Sequence, residues 1–303
     1  NARAQELLSN INYCDNECVM SLELPTYIDI IDAAARLSGH AVHTPILGSP
    51  LLNAISRLNI YLKNETAQKT GSFKYRGAYA RLSAMSDTER ACGIVAFSSG
   101  NHAQGVALAA KELGIDAVIV MPTTAPRVKR DGTQSHGAKI IVYNPATESR
   151  EEIAADIAAR EGRIVVPSFD DKYIIAGQGT CGLEIAQAFT DLAMPLDAVI
   201  MPIGGGGLMS GMATVARALK PDIEMIGVQA ELYPSMYARM KGEELPCGGD
   251  SLAEGISVKA PGEFTAQIIK ERVDDIVLVS EKELEKAVSL LLQIEKTVVE
   301  GAG

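Results

Sequence analysis

One lysine in this sequence has the surroundings that covalent chemistry would need. Lys74 stands in "KTGSFKYRGA" (Lys69–Ala78), with Gly71, Ser72 and Phe73 before it and Arg76 and Gly77 after. Most lysines are solvated surface charges and require no such neighbours. A free lysine amine titrates near about 10.4, so a nucleophilic one has to be desolvated or set beside other cations. Small residues on both sides allow the backbone to pack closely around it.

A second candidate is "PIGGGGL", where Gly204, Gly205, Gly206 and Gly207 precede Leu208 between a β-rich run and a helical one. Glycine permits positive φ and close approach of the backbone to a ligand. The N-terminus of the following helix offers unpaired N–H groups and a partial positive charge, worth up to about 2 kcal/mol to an anion. A plain turn does not need four glycines, each of which costs about 0.5–1 kcal/mol of chain order, so an anion site, a phosphate above all, is the better reading. No Gly-Lys-Ser/Thr follows, which excludes a nucleotide P-loop. The G-x-G-x-x-G fingerprint fails as well. A looser spacing through Gly205, Gly207 and Gly211, with Glu231 after the next β-run, leaves an NAD(P)-dependent oxidoreductase open as an alternative.

The third candidate is "FSSGNHAQG". Ser98, Ser99, Gly100, Asn101 and His102 fall where another β-run meets a helix. Serine and asparagine are favoured N-caps, but a cap needs only one of them, and the cluster could equally hold a carboxylate at the helix start. A lysine amine, a phosphate cradle and a carboxylate cradle together suit a Schiff base with an aldehyde cofactor that carries a phosphate. Pyridoxal 5'-phosphate is that cofactor.

The elements that must position these residues alternate along the chain. β-runs are expected at 93–99, 116–122, 138–144 and 163–168. Helices are expected at 101–113, after Ala125 to near Gly137, and at 148–161. Farther on, "AGQGTCGLEIAQAF" reads as helical near its end. "DAVIMPIG", "EMIGVQAE" and "DDIVLVS" read as strands, and "EKELEKAVSLLLQIEKTVV" as one long helix. Such alternation means parallel sheets with helical crossovers, an α/β fold of two domains. The expected division is a small domain of residues 93–165 set within a large one of 1–92 and 166–303.

Composition narrows the function. The formal net charge is −10, which disfavours general binding to nucleic acid or anionic membranes. No apolar run is long enough for a membrane span, and "NARAQELLSN" lacks the core of a secretion signal. Five scattered cysteines, with Cys14 and Cys18 as a lone C-x3-C, suggest reduced thiols in the cytoplasm and no zinc site.

Taken in order, "HTPILGSPLLN", "KTGSFKYRGA", "SSGNHAQGVALAAK", "AGQGTCGLEI", "PIGGGGLMSG", "VKAPGE", "VDDIVLVSE" and "VVEGAG" resemble the fold type II pyridoxal-phosphate enzymes, in particular the threonine dehydratase and serine racemase group. The resemblance covers nearly the whole chain and implies a fold like that of the tryptophan synthase β-subunit. It further implies that Lys74 anchors the cofactor and later moves the α-proton, and that Phe73 packs against the pyridine ring. Asn101 would bond the ring hydroxyl, and Gly204 to Leu208 would hold the phosphate. Ser98, Ser99, Gly100, Asn101 and His102 would hold the substrate carboxylate, with Glu300 near the ring. The implied activity is an ammonia-lyase for L-threonine or L-serine, in a cytoplasmic homodimer.

Four positions bear on which reaction is run. Ser99 stands where many threonine dehydratases have alanine and where serine racemases keep a second acid/base. Arg150, in "TESREE", matches an arginine near the substrate and could pair with a second carboxylate, as 3-hydroxyaspartate would require. Racemase ligands to a divalent metal would fall at Gln229 and Ser235, poor replacements for carboxylates, so no metal is expected there. The pyridine-nitrogen partner, a serine or cysteine in a Ser-Gly-Gly-Asn-like segment, has no counterpart before Gly303.

Overall fold

The computed structural model describes residues 23–303, so the Cys14/Cys18 pair and the first ten residues lie outside the described residues. Two compact units emerge, a small one of residues 74–168 and a large one of 24–73 with 169–303. The chain passes from one to the other at Phe73–Lys74 and again at Ser168–Phe169.

The large unit opens with α1 (Tyr27–Leu37), started by a capping box in which Thr26 and Asp29 satisfy each other's backbone N–H groups. Strands β1 (Ile46–Gly48) and β2 (Tyr61–Lys63) form an antiparallel pair around α2 (Pro50–Ser56).

The small unit follows as α3 (Lys74–Ser83), α4 (Asp87–Cys92), β3 (Ile94–Phe97), α5 (Asn101–Leu113), β4 (Ala117–Pro122), α6 (Arg127–Ser135), β5 (Lys139–Tyr143), α7 (Arg150–Glu161) and β6 (Ile164–Val165). Its four strands lie parallel in the order β5-β4-β3-β6. Every residue of β4 is buried, as its unbroken apolar run requires in a parallel sheet. Val95, Val118, Val120, Ile157 and Tyr143 form the core.

This unit begins nineteen residues before the expected position 93, because α3 packs along α5. Gly105 makes that approach possible. A Cβ there would lie 3.1 Å from the carbonyl carbon of Lys74 and from the nitrogen of Tyr75.

The large unit resumes with α8 (Lys172–Asp191), β7 (Ala198–Pro202), α9 (Gly207–Leu219), β8 (Glu224–Ala230), α10 (Ser235–Lys241), α11 (Glu263–Arg272), β9 (Asp275–Val279) and α12 (Glu281–Leu290). Strands β7-β8-β9 are parallel, over a core rich in Met201, Ile203, Met209, Met212 and Met225.

Two expectations are corrected here. "AGQGTCG" is helical throughout, inside the twenty-residue α8. Its glycines form the seam with α9, where a Cβ at Gly179 would lie 3.0 Å from Gly211 O and one at Gly211 only 2.5 Å from Gly179 N. Backbone packs against backbone, which offsets the propensity cost of glycine within a helix. The long C-terminal helix, in turn, stops at Leu290, passes into a π-turn at Leu291–Glu295 and ends at Lys296 with φ of 53°.

Candidate active site

Lys74 opens α3 and is half-buried, and its Nζ donates to Ser168 O at 3.0 Å. His102 lies beside it, only 2% exposed, with Nε2 3.4 Å from Val166 O. Burial first, then the neighbouring Lys74 charge, holds the imidazole down to about 3, so the ring is neutral. With its proton on Nε2 it donates to Val166 and leaves Nδ1 as a buried acceptor that has no partner. The ring therefore serves the Val166–Ser168 segment and is not a cationic ligand for a substrate carboxylate.

The predicted carboxylate turn sits at the carboxyl end of β3. Ser98 N–H continues the ladder onto Val120 O at 3.1 Å. Ser98 Oγ accepts from Gly100 N at 3.1 Å, within the turn. Gly100 is the N-cap of α5, and no side chain caps that helix. The N-cap reading of the serines thus gives way. The N-cap residue itself brings no side-chain oxygen to the helix start, which leaves room there for an anion. Ser99 and Asn101 are half-buried in the same turn. A Cβ at Gly100 would lie 3.0 Å from Lys129 Nζ, so the turn also has an ammonium beside it.

Arg150 opens α7 at the same edge of this sheet. Its guanidinium lies over the Phe97 ring, 5.4 Å from the centroid, and Nε pairs with Glu151 at 2.8 Å. Tyr143, the last residue of β5, also bonds Arg150 and is pushed above its ordinary range by burial. The arginine is thus already held by Glu151, and its side chain is 44% exposed.

The glycine run belongs to the large unit, at the carboxyl end of β7, where ligands collect in parallel α/β sheets. Gly206 has φ of 99°, a conformation that needs glycine, and it is the N-cap of α9 with no side-chain cap. A Cβ at Gly205 would fall 2.2 Å from the Phe169 ring, and one at Gly204 3.1 Å from Ile256 Cα. Leu208 anchors the start of α9 on the core. A rigid glycine wall beside an uncapped helix start fits a phosphate. Gly211, a candidate for the dinucleotide spacing, is engaged with α8 and does not face a ligand.

Phe73, in the large unit, is half-buried. Glu300 reaches the turn behind Gly204, since a Cβ at Gly255 would lie 3.2 Å from its Oε1. At the racemase metal positions, Gln229 donates to Ile203 O and accepts from Tyr237 N, while Ser235 donates to Val258 O. Among the described residues no group of three His, Cys, Asp or Glu is placed to hold a metal.

Sequence reasoning missed Gly105, Lys129, Ser168, Phe169, Asp170 and Thr265. Gly105 alone had a visible signal, a glycine inside a strongly helical run. The others act across long sequence separations.

A half-buried lysine and, at the end of a parallel strand, a glycine cradle for an anion are the features of a cofactor-dependent α/β enzyme. A family profile described as "Pyridoxal-phosphate dependent enzyme" matches residues 37–303. The chain is 44% identical over 280 residues to an L-threonine dehydratase catabolic TdcB of Staphylococcus aureus strain N315, over 91% of this chain and 79% of that protein. Among solved structures, a T.th. threonine deaminase superposes with a TM-score of 0.86 at 38% identity, over 92% of this chain and 90% of that one. Maize serine racemase gives 0.87 at 32% identity, over 92% and 84%. The chain belongs to the family of pyridoxal-phosphate dependent enzymes. Its cofactor is pyridoxal 5'-phosphate, and it is a lyase of the dehydratase type.

Proposed function

We propose that the chain converts L-threonine or L-serine to the 2-oxo acid and ammonia, losing water from the β-carbon and regaining it on hydrolysis. The observation that carries this reading is Lys74, with its amine held on Ser168 O beside a neutral buried imidazole, in a chain 44% identical to a threonine dehydratase. The cofactor, when bound, supplies the electron sink for carbanion chemistry at the α-carbon. Lys74 would anchor it, the N–H groups of Gly204 to Leu208 would take its phosphate, and Phe73, Asn101 and Glu300 would border its ring. The Ser98–His102 turn would orient the substrate through its carboxylate. The Lys74 amine would take the α-proton, with Ser168 O as a fixed acceptor that orients it.

A second reading, serine racemisation beside elimination, is favoured by the serine racemase likeness and by Ser99, half-buried in the carboxylate turn. A hydroxyl there could return the proton from the opposite face. For 3-hydroxyaspartate, Arg150 would first have to leave Glu151. We also place the chain in the cytoplasm as a homodimer. The five cysteines are scattered along the sequence, consistent with a reducing compartment, and sedimentation would read the assembly.

The test is a product panel on the full-length protein, scoring 2-oxobutanoate, pyruvate and oxaloacetate separately, with chiral analysis of residual serine. Borohydride should fix a pyridoxyl group on Lys74. Absence of that label together with absence of any 2-oxo acid overturns the proposal.

A further inference from the structure

Two consecutive aspartates follow Phe169, and they cap different helices. Asp171 is the N-cap of its own helix, α8, and accepts from Tyr173 N and Ile174 N at 2.8 and 2.9 Å. Asp170 turns instead to α11, ninety-three residues away. Its carboxylate accepts from Glu263 N at 2.8 Å and Thr265 N at 3.1 Å, with a further bond from Phe264 N. The N-cap of α11 is Gly262, which has no side chain to offer. A Cβ at Gly262 would lie 2.1 Å from Asp170 Oδ1, so the glycine leaves the space that the remote carboxylate fills.

The capped helix start is also a wall of the glycine run. Thr265 Oγ1 donates to Gly205 O at 2.6 Å, and Ser210 Oγ of α9 donates to Thr265 O at 3.3 Å. A Cβ at Gly206 would lie 2.8 Å from Thr265 Cβ. Phe169, covalently joined to Asp170, closes the other side against Gly205 and Gly207. Two helix N-termini therefore meet at Gly205, those of α9 and α11. Asp170 fills the second with a carboxylate, and the first has no side-chain cap. An anion is drawn to unpaired N–H groups and repelled by a carboxylate, so this arrangement leaves α9 as its place.

We infer that Asp170 is a positioning residue for the phosphate loop. It fixes the N-terminus of α11, and through Thr265 the Gly205 backbone, in the shape that takes the phosphate at α9. Burial raises this carboxyl above its usual range while the three backbone donors oppose the shift, so the charge there depends on those bonds. The inference rests on the reading of Gly204–Leu208 as the phosphate site.

The test is equilibrium dialysis of the full chain against graded pyridoxal phosphate and, separately, against graded pyridoxal without the phosphate, with bound ligand read by visible absorbance. Asp170→Ala should weaken pyridoxal phosphate about tenfold, equivalent to about 1.4 kcal/mol, and leave pyridoxal unchanged. Should that variant not fold, Asp170→Asn, which keeps the size and one acceptor oxygen, decides, with a smaller loss of the same phosphate-specific kind. An equal loss for both ligands, or none for either, overturns the inference while leaving the phosphate reading intact. A wild-type chain that binds the two ligands equally well overturns both.

Discussion

Two strand-to-helix turns, one in each unit, solve the same problem with opposite materials. At Ser98–Asn101 the turn is made of polar side chains, and at Gly204–Gly207 it has none. In both, the first residue past the strand extends the ladder, Ser98 onto Val120 O and Ile203 onto Val228 O. Neither following helix has a side-chain cap. What differs is the neighbour of the missing Cβ. At Gly205 it is an aromatic ring and at Gly204 a backbone carbon, whereas at Gly100 it is the tip of Lys129. The glycine turn is walled rigidly, as a site for one invariant phosphate can be. The polar turn has a lysine ammonium beside it, a charge that the proposed substrate carboxylate would meet.

The contrast fails most visibly if rigidity at Gly205 is not needed. Gly205→Ala puts a methyl group 2.2 Å from the Phe169 ring. Overpacking of this kind costs about 3 kcal/mol at the upper end of its usual range. Chemical denaturation should show that loss, and the visible band of the cofactor should disappear from the purified variant. A variant that kept both cofactor and stability would mean that the ring is free to move aside.

The polar turn has its own sensitivity, to pH. His102 is held down to about 3 in the folded chain against 6.5 for an ordinary imidazole. A depressed folded pKa means that the unfolded state takes up the proton first, so this contribution is present above pH 6.5 and is lost as pH falls toward about 3. The slope is about 1.4 kcal/mol per pH unit across that window, or about 2 kcal/mol by pH 5. Lys74 is the charged group that deepens the shift after burial. His102→Gln should flatten the stability profile over this range relative to wild type, as measured by denaturant midpoints at stepped pH. Parallel profiles would show the imidazole protonated in the folded chain.

Thr265→Val removes the hydroxyl that donates to Gly205 O at 2.6 Å and leaves only the longer bond from Gly262 N. A lost bond to a buried carbonyl costs about 1 kcal/mol. Pyridoxal phosphate affinity should fall severalfold, with the Michaelis constant for the amino acid unchanged. A change confined to the amino acid would reverse the assignment of the two turns.

Much of this comparison could be read before the fold was known, because both turns are local. Helix α5 runs from Asn101 to Leu113 as its spacing and Gly114 predict, and β4 and β7 fall on their apolar runs. The amine, the glycines and the polar cluster announce themselves by residue type. Their supports do not. Asp170 reads as one more acid before a helix, and only the folded chain carries it to Gly262. The glycines of α8 resemble a loop because propensity describes an isolated helix, while their use is a backbone seam with Gly211. The early start of the small unit depends on Gly105 letting α5 meet Lys74, a contact between helices that periodicity cannot display.

The smallest expected effect tests the charged side of the contrast. Lys129→Met keeps the stem that covers Gly100 and removes the ammonium. The residue is half-buried, and substitutions of this kind away from a packed core shift stability by about 0.5 kcal/mol or less. If the cation helps to gather the substrate carboxylate, its loss should raise the Michaelis constant for the amino acid about threefold, the scale of one partly screened charge contact. Cofactor affinity should not move if, as proposed, the phosphate is held by backbone at the other turn. Steady-state kinetics at two ionic strengths would check this, since salt should shrink the difference between wild type and variant. A variant that lost cofactor affinity instead would tie Lys129 to the phosphate and end the division of labour between the two turns.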